Sequence, residues 1–188
     1  LVDVDRVEVL RGPQGTLYGA GAMGGALRII PKAPSLDSIE ANASLSFETT
    51  EHGDNGFETS GAVSVPLIEN MLAIRIAGYH YDVGGFIDRS YPGNALFGAP
   101  ARFDKNVNDE ETSGGRVAIL FEPTPAFSAT LTYMRQKTEV GGLTEIQPTL
   151  TYELGQVRGG REGFEDDFEM LNLTASYDFG GVELVSVT

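Results

Sequence analysis

Gly19-Ala20-Gly21-Ala22-Met23-Gly24 spells G-x-G-x-x-G, the spacing with which a glycine turn cradles a pyrophosphate at a helix N-terminus. That chemistry needs a strand directly before the first glycine and a helix directly after the last. Here eight residues separate Leu10 from Gly19, and the glycines run into Ala26-Leu27-Arg28-Ile29-Ile30-Pro31, which reads as a strand stopped by proline. No G-K-[ST] cradles a phosphate and no G-x-S-x-G presents a nucleophile. His52 and His80 are the only histidines, without an H-E-x-x-H or triad spacing around them, and they read as surface residues. The acidic clusters Asp109-Glu110-Glu111 and Glu165-Asp166-Asp167 lack the D-x-[DN]-x-[DN]-G pattern of a calcium loop and are expected in solvated loops. With no cysteine there is no thiolate zinc site, disulfide or thiol nucleophile. The sequence therefore predicts no enzyme, no cofactor and no metal centre.

The elements that would position any other site are strands. Residues 1 to 34 form a glycine-dense segment: a strand-like run from Val4 to Leu10, a turn-rich stretch, and the run from Ala26 to Ile30. From Ile39 the texture changes to alternation with a period of two, which gives a strand one apolar and one polar face. Ile39, Ala41, Ala43, Leu45 and Phe47 fall opposite Glu40, Asn42, Ser44, Ser46 and Glu48. Phe57, Val63, Val65 and Leu67 oppose Glu58, Ser60, Ala62 and Ser64; Leu72, Ile74 and Ile76 oppose Arg75, Tyr79 and Tyr81. Further strands are expected over Arg116 to Glu122, Phe127 to about Lys137, Glu169 to Phe179 and from Val182 onward.

The connections alternate in length. Ile68-Glu69-Asn70-Met71, Pro123-Thr124-Pro125-Ala126 and Gly180-Gly181 are tight turns, whereas residues 82 to 112 and 138 to 168 form long gaps on the other side, beside the short polar stretch from His52 to Gly56. Outer-membrane barrels show this asymmetry, together with an apolar outer band and aromatic girdles. A soluble antiparallel sheet with one solvated face is the alternative for the alternation alone. Strands of ten or more residues favour the barrel, because globular strands average five or six and a tilted membrane strand needs about 9 to 11.

A formal charge of −14 without a basic cluster argues against nucleic acid. No stretch approaches the roughly 18 consecutive apolar residues of a membrane helix. The chain opens on Leu1 and stops inside a strand-like run, so it is expected to be cut at both ends.

Read whole, the segment from Arg6 to Pro34, RVEVLRGPQGTLYGAGAMGGALRIIPKAP, resembles the end of the plug domain in TonB-dependent receptors. Arg11-Gly12-Pro13, Gly15, Tyr18-Gly19, Gly24-Gly25-Ala26 and Ile29-Ile30 stand at that family's spacing, while Ala20-Gly21 and Pro31-Lys32 depart from its commoner letters. The resemblance in motif covers about 30 residues; the remainder agrees in architecture. It implies an all-β fold, a partial transmembrane antiparallel barrel (35–188) preceded by the C-terminal part of a plug (1–34), in a bacterial outer membrane. It also implies active import of a scarce nutrient, most often a ferric siderophore, with energy from the TonB complex acting through a plug segment absent here. In such a barrel of roughly 22 strands, the present strands alone would leave an open edge and would not insert unaided. Arg6, Arg11 and Arg28 are candidates to dock the plug on Glu40, Glu48 or Glu58 of the barrel's inner face; the competing reading leaves them exposed or satisfied within the plug. Tyr18, Tyr79, Tyr81, Phe86, Tyr91 and Phe97 are candidate ligand contacts, because such sites combine aromatic surface with a few polar groups. A passive porin-like barrel and a soluble β-sandwich that binds carbohydrate are the rival functions. The porin-like barrel has no use for the RGP-to-GG segment, and the β-sandwich would be a folded, detergent-independent monomer with shorter loops.

Overall fold

The computed structural model describes residues 2–93, 100–147, 154–157 and 162–188. In chain order its elements are β1 (Val4–Arg11), α1 (Gly15–Tyr18), β2 (Gly25–Pro31), β3 (Glu40–Thr49), β4 (Asn55–Ile68), β5 (Leu72–Val83), β6 (Asp88–Tyr91), β7 (Arg102–Asp104), β8 (Glu110–Thr124), β9 (Phe127–Val140), β10 (Gly155–Val157), β11 (Phe164–Asp178) and β12 (Glu183–Val187). β1 and β2 pair as an antiparallel hairpin, with Glu8 opposite Arg28 and Arg11 opposite Gly25. β3, β4, β5, β8, β9, β11 and β12 form one seven-stranded antiparallel sheet in sequential order. The glycine-rich spacing thus leads into strand β2, and no dinucleotide-type helix follows it.

All seven expected strands are present, and their registers put the two sets of alternating residues on opposite faces. Val65, Ile74, Ile119, Leu131 and Leu173 form a continuous cross-strand row on the outer face. Val63, Ile76, Val117, Tyr133 and Leu171 form the next row. Among the described residues nothing covers these rows, and Leu171 stays 68 % exposed. Directly opposed residues share a face, so the inner face carries the row Glu40, Ser64, Arg75, Ala118, Thr132 and Asn172. Small buried residues, among them Ala62, Ala73, Ala77 and Ala118, make this face shallow enough for another chain segment to lie against it.

The tight turns fall where the sequence places them. Asn70 takes φ +57° in the β4–β5 turn, a left-handed conformation that asparagine tolerates better than most residues, and Met71 donates to the Ile68 carbonyl at 3.0 Å. Gly180, at φ +88°, opens the two-residue turn before β12, where Phe179 donates to Val182. Pro66 sits past the last residue of β4 that pairs with β3, so its missing N–H leaves no β3 acceptor unpaired.

The strands run further away from the tight turns than alternation indicated. β8 begins at Glu110 and β11 at Phe164, so Glu110, Glu111, Glu165, Asp166 and Asp167 lie in paired strands and not in loops. The ladder continues there because its backbone bonds do not depend on apolar side chains. What changes is the outer face, which turns from apolar to ionic: Arg135 pairs with Asp167 at 2.7 Å, and Lys137 with Glu139 at 2.5 Å and Glu165 at 2.9 Å. Tyr133, hydrogen-bonded to Glu169 at 2.7 Å, marks the boundary. Outward charge at this level places it beyond any hydrocarbon band.

The two long connections also contain structure that alternation did not reveal. β6 pairs with β7 antiparallel and with β10 in parallel, so segments from both connections build one small three-stranded sheet.

Candidate functional site

The hairpin meets the inner face of the large sheet through one carboxylate. Asp3, just before β1, receives two bonds from Arg75 of β5, Nε to Oδ2 at 2.8 Å and Nη2 to Oδ1 at 2.5 Å. Arg116 of β8 adds a third, from Nη2 to Oδ2 at 2.5 Å, and also donates to the Lys32 carbonyl at the far end of the hairpin at 2.8 Å. Lys32 in turn donates its backbone N–H to the Asp3 carbonyl at 2.9 Å. Both ends of the hairpin are therefore tied to each other and to Arg116, and the Asp3 end also to Arg75. The Asp3 and Arg75 side chains are 1 % and 2 % exposed, and Arg116 is 10 % exposed. Arg75 carries a second carboxylate, Glu40 of β3, at 3.2 Å. Burial alone would push the Asp3 carboxyl upward; hydrogen bonds and charge from Arg75 and Arg116 outweigh it and hold the group below the usual carboxylate range.

Above this knot Val4, Ile29 and Pro31 of the hairpin face Ala77, Tyr79 and Met134 of the sheet across a mainly apolar cavity of about 290 Å³. Below it the chain leaves the hairpin along the wall: Ser35 N–H donates to Ser64 Oγ at 2.7 Å, and Asn70 N–H in the β4–β5 turn donates to the Leu36 carbonyl at 3.2 Å. β3 then begins beside that turn, so the hairpin feeds the sheet from its tight-turn side.

The arginines expected to dock the hairpin do not do so. Arg6 pairs with Asp5 at 2.7 Å and Glu8 at 2.8 Å, and Arg28 pairs with Glu8 at 2.8 Å. The β1–β2 register sets Glu8 opposite Arg28, and two-residue spacing puts Arg6 on the same face, so local partners satisfy both. Arg11 has no ion pair among the described residues, and neither do Glu48 and Glu58; Glu40 serves Arg75. Docking thus has the opposite polarity, with an acid on the hairpin and arginines on the wall. Asp3, Arg75 and Arg116 were missed as partners because they lie 72 and 113 residues apart in sequence. The available signal was Arg75 itself, a cation among small and aromatic residues on an inner face.

Of the candidate ligand contacts, Tyr79 and Tyr81 stand on the inner face of β5 with rings 5.2 Å apart, and Tyr79 bonds to Gln136 at 2.5 Å. Their arrangement needs Gly114: a Cβ there would lie 2.5 Å from the Tyr79 hydroxyl. Tyr18 lies in α1 and is 43 % exposed. Tyr91 on β6 has the Arg102 guanidinium 4.7 Å from its ring centre and that of Arg89 at 6.0 Å. Phe86 is held by its backbone N–H, and Phe97 lies outside the described residues. Tyr18, Phe86 and Tyr91 share no ring contact with the Tyr79–Tyr81 pair among the described residues. His52 is an exposed turn residue, and His80 lies 3.9 Å from Glu111 on the outer face. Among the described residues no group of carboxylates and histidines could hold a metal ion.

The long connections are locked together by Asn108, which is 7 % exposed. Its Oδ1 accepts from the N–H groups of Phe86 and Ile87, both at 2.7 Å, and its Nδ2 reaches Thr144 at 3.4 Å. Asn108→Ala would orphan two backbone donors at roughly 1–3 kcal/mol each. Faster amide exchange over residues 84–93, with β4 and β5 unchanged, is the expected result; unchanged exchange there would show that the bonds carry no weight.

Comparison with known proteins agrees with this arrangement. Residues 1–26 match the TonB-dependent Receptor Plug Domain. The chain is 32 % identical over 120 residues to the probable TonB-dependent siderophore receptor PirA of Acinetobacter baumannii, covering 59 % of this chain and 14 % of that protein. It is 36 % identical over 78 residues to the ferric enterobactin receptor PirA of Pseudomonas aeruginosa, covering 40 % of this chain and 10 % of that protein. The fold matches the ferripyoverdine receptor of the outer membrane of Pseudomonas aeruginosa with a TM-score of 0.65 at 19 % identity, over 95 % of this chain and 22 % of that one. These relatives are named as receptors, not enzymes, and the chain spans a small part of each. Residues 1–26 thus match the plug domain of TonB-dependent receptors, and the chain is similar in sequence and fold to such receptors, with its first hairpin against the inner face of an antiparallel sheet whose other face is apolar.

Proposed function

We propose that the complete receptor imports a ferric siderophore or a similar iron complex across a bacterial outer membrane, driven by the TonB complex acting on plug residues upstream of this chain. Residues 1–34 serve as the end of the plug and residues 35–188 as the first barrel strands, with their outer apolar rows in lipid. The observation that carries the reading is the hairpin held on the inner face of a wall whose outer face is apolar. A barrel that contains a fixed stopper has a use only where passage is gated. The names of the relatives favour iron complexes over other scarce nutrients. Tyr18, Tyr79, Tyr81, Phe86, Tyr91 and Phe97 are the proposed aromatic contacts.

The test is uptake of radiolabelled ferric siderophore by iron-starved cells with the receptor gene deleted, restored, or restored in a strain without TonB. Uptake that needs both receptor and TonB supports the reading. Dependence on the receptor but not on TonB would make it a passive barrel, and uptake independent of the receptor would remove the iron complex as its substrate.

A further inference from the structure

Asp3 has four independent peculiarities that converge on one role. Its side chain is buried, it is shared by two wall arginines, its backbone carbonyl closes the hairpin by accepting from Lys32, and it has φ +56°. A left-handed backbone restricts that position in practice to Gly, Asn or Asp, and of these only Asp brings a charge. The wall arginines are equally committed. Arg75 presents its guanidinium edge to both carboxylate oxygens, a fork geometry that lysine cannot reproduce. Arg116 divides one nitrogen between the Asp3 carboxylate and the Lys32 carbonyl, so its bonds are complete only when the hairpin is closed.

We propose that Asp3 is the positioning residue that seats the last plug hairpin on the barrel wall, an acidic pin in a socket made by Arg75 and Arg116. The remaining hairpin surface that faces the wall is apolar and borders a cavity, so it supplies little directional hold. The charged groups of Asp5, Arg6, Glu8 and Arg28 are spent on one another and cannot substitute. Because the pin works as a carboxylate, seating is sensitive to acid. The groups that face it are Arg75 from β5, Arg116 from β8, Glu40 from β3 through Arg75, and the Lys32 backbone from the end of β2. Arginine stays charged throughout, so the pH dependence of the contact rests on the Asp3 carboxylate. With the carboxyl held below its ordinary value, seating is complete above about pH 4 and is lost as pH falls through the lowered value.

The inference concerns the seating of the hairpin and stands apart from substrate identity and TonB dependence. It is tested on the complete purified receptor with Val4→Cys as a reporter facing the wall, by the rate at which a bulky maleimide modifies the thiol. Asp3→Asn keeps the shape and the backbone conformation but removes the charge, and modification should rise roughly tenfold or more at neutral pH. Arg75→Lys should give an intermediate rate. For the acid arm the probe is 2,2′-dipyridyl disulfide, which still modifies thiols in acid where maleimide does not: without substitution at Asp3, the reporter should become reactive only as pH falls below about 4, whereas Asp3→Asn should show no such step. Protection of Asp3→Asn equal to that of the unsubstituted pin at neutral pH, or the same acid step in both, would overturn the proposal.

Discussion

Replacing Arg75 with Met in the complete receptor is expected to lower its stability by about 3 kcal/mol, at the lower end of the cost of breaking a buried ion pair. Methionine fills much of the same space on β5, so little of the loss comes from packing. The loss arises because Asp3, 1 % exposed, keeps only Arg116 as a charged partner, while Glu40 loses its own. The full penalty of an isolated buried charge is avoided because Arg116 remains. Arg75→Met combined with Asp3→Asn should cost clearly less than the sum of the two, with a coupling of about 1–3 kcal/mol, as for residues in one ionic network. Denaturant unfolding of the four proteins of this cycle measures it. Strict additivity would mean that the two side chains do not interact energetically.

The second large effect is on the outer face. Ile119 sits in the middle of the row Val65, Ile74, Ile119, Leu131 and Leu173, with apolar neighbours on both adjoining strands. Arginine at this position should destabilise the barrel in a bilayer by about 2–4 kcal/mol, the cost of a cation near the membrane midplane. Ser44→Arg, on the inner face of β3, should cost much less, because that face is not presented to lipid. Equal effects of the two substitutions on the folded fraction after assembly into vesicles would contradict the assignment of faces. The ionic ladder from Arg135 to Asp167 sets the upper limit of the effect: substitutions at or beyond that level meet a surface that is already charged.

Alternation by itself determined which face is apolar in the wall strands where it is clean, as in those that start near Ile39, Phe57 and Leu72, where the tight turns fall and on which side the long connections lie. These follow from local rules, since side-chain direction has a period of two and a two-residue turn admits few sequences. The RGP-to-GG segment likewise marked the hairpin, because glycines are required where the chain turns through positive φ, as at Gly12, Gly19 and Gly25.

Three features were decided only by tertiary structure. Strand ends beyond the apolar rows were not legible, since the backbone ladder continues through Glu110–Glu111 and Glu165–Asp167 after the hydrophobic signal has stopped. The small sheet of β6, β7 and β10 joins strands of three or four residues, too short to show a period. The polarity of docking was not legible either. Charge in the sequence said that arginines and carboxylates were available on both partners, but pairing is set by register and proximity. Arg6 and Arg28 found Glu8 within their own hairpin, while the wall arginines take Asp3 from the hairpin, with Glu40 of the wall also on Arg75.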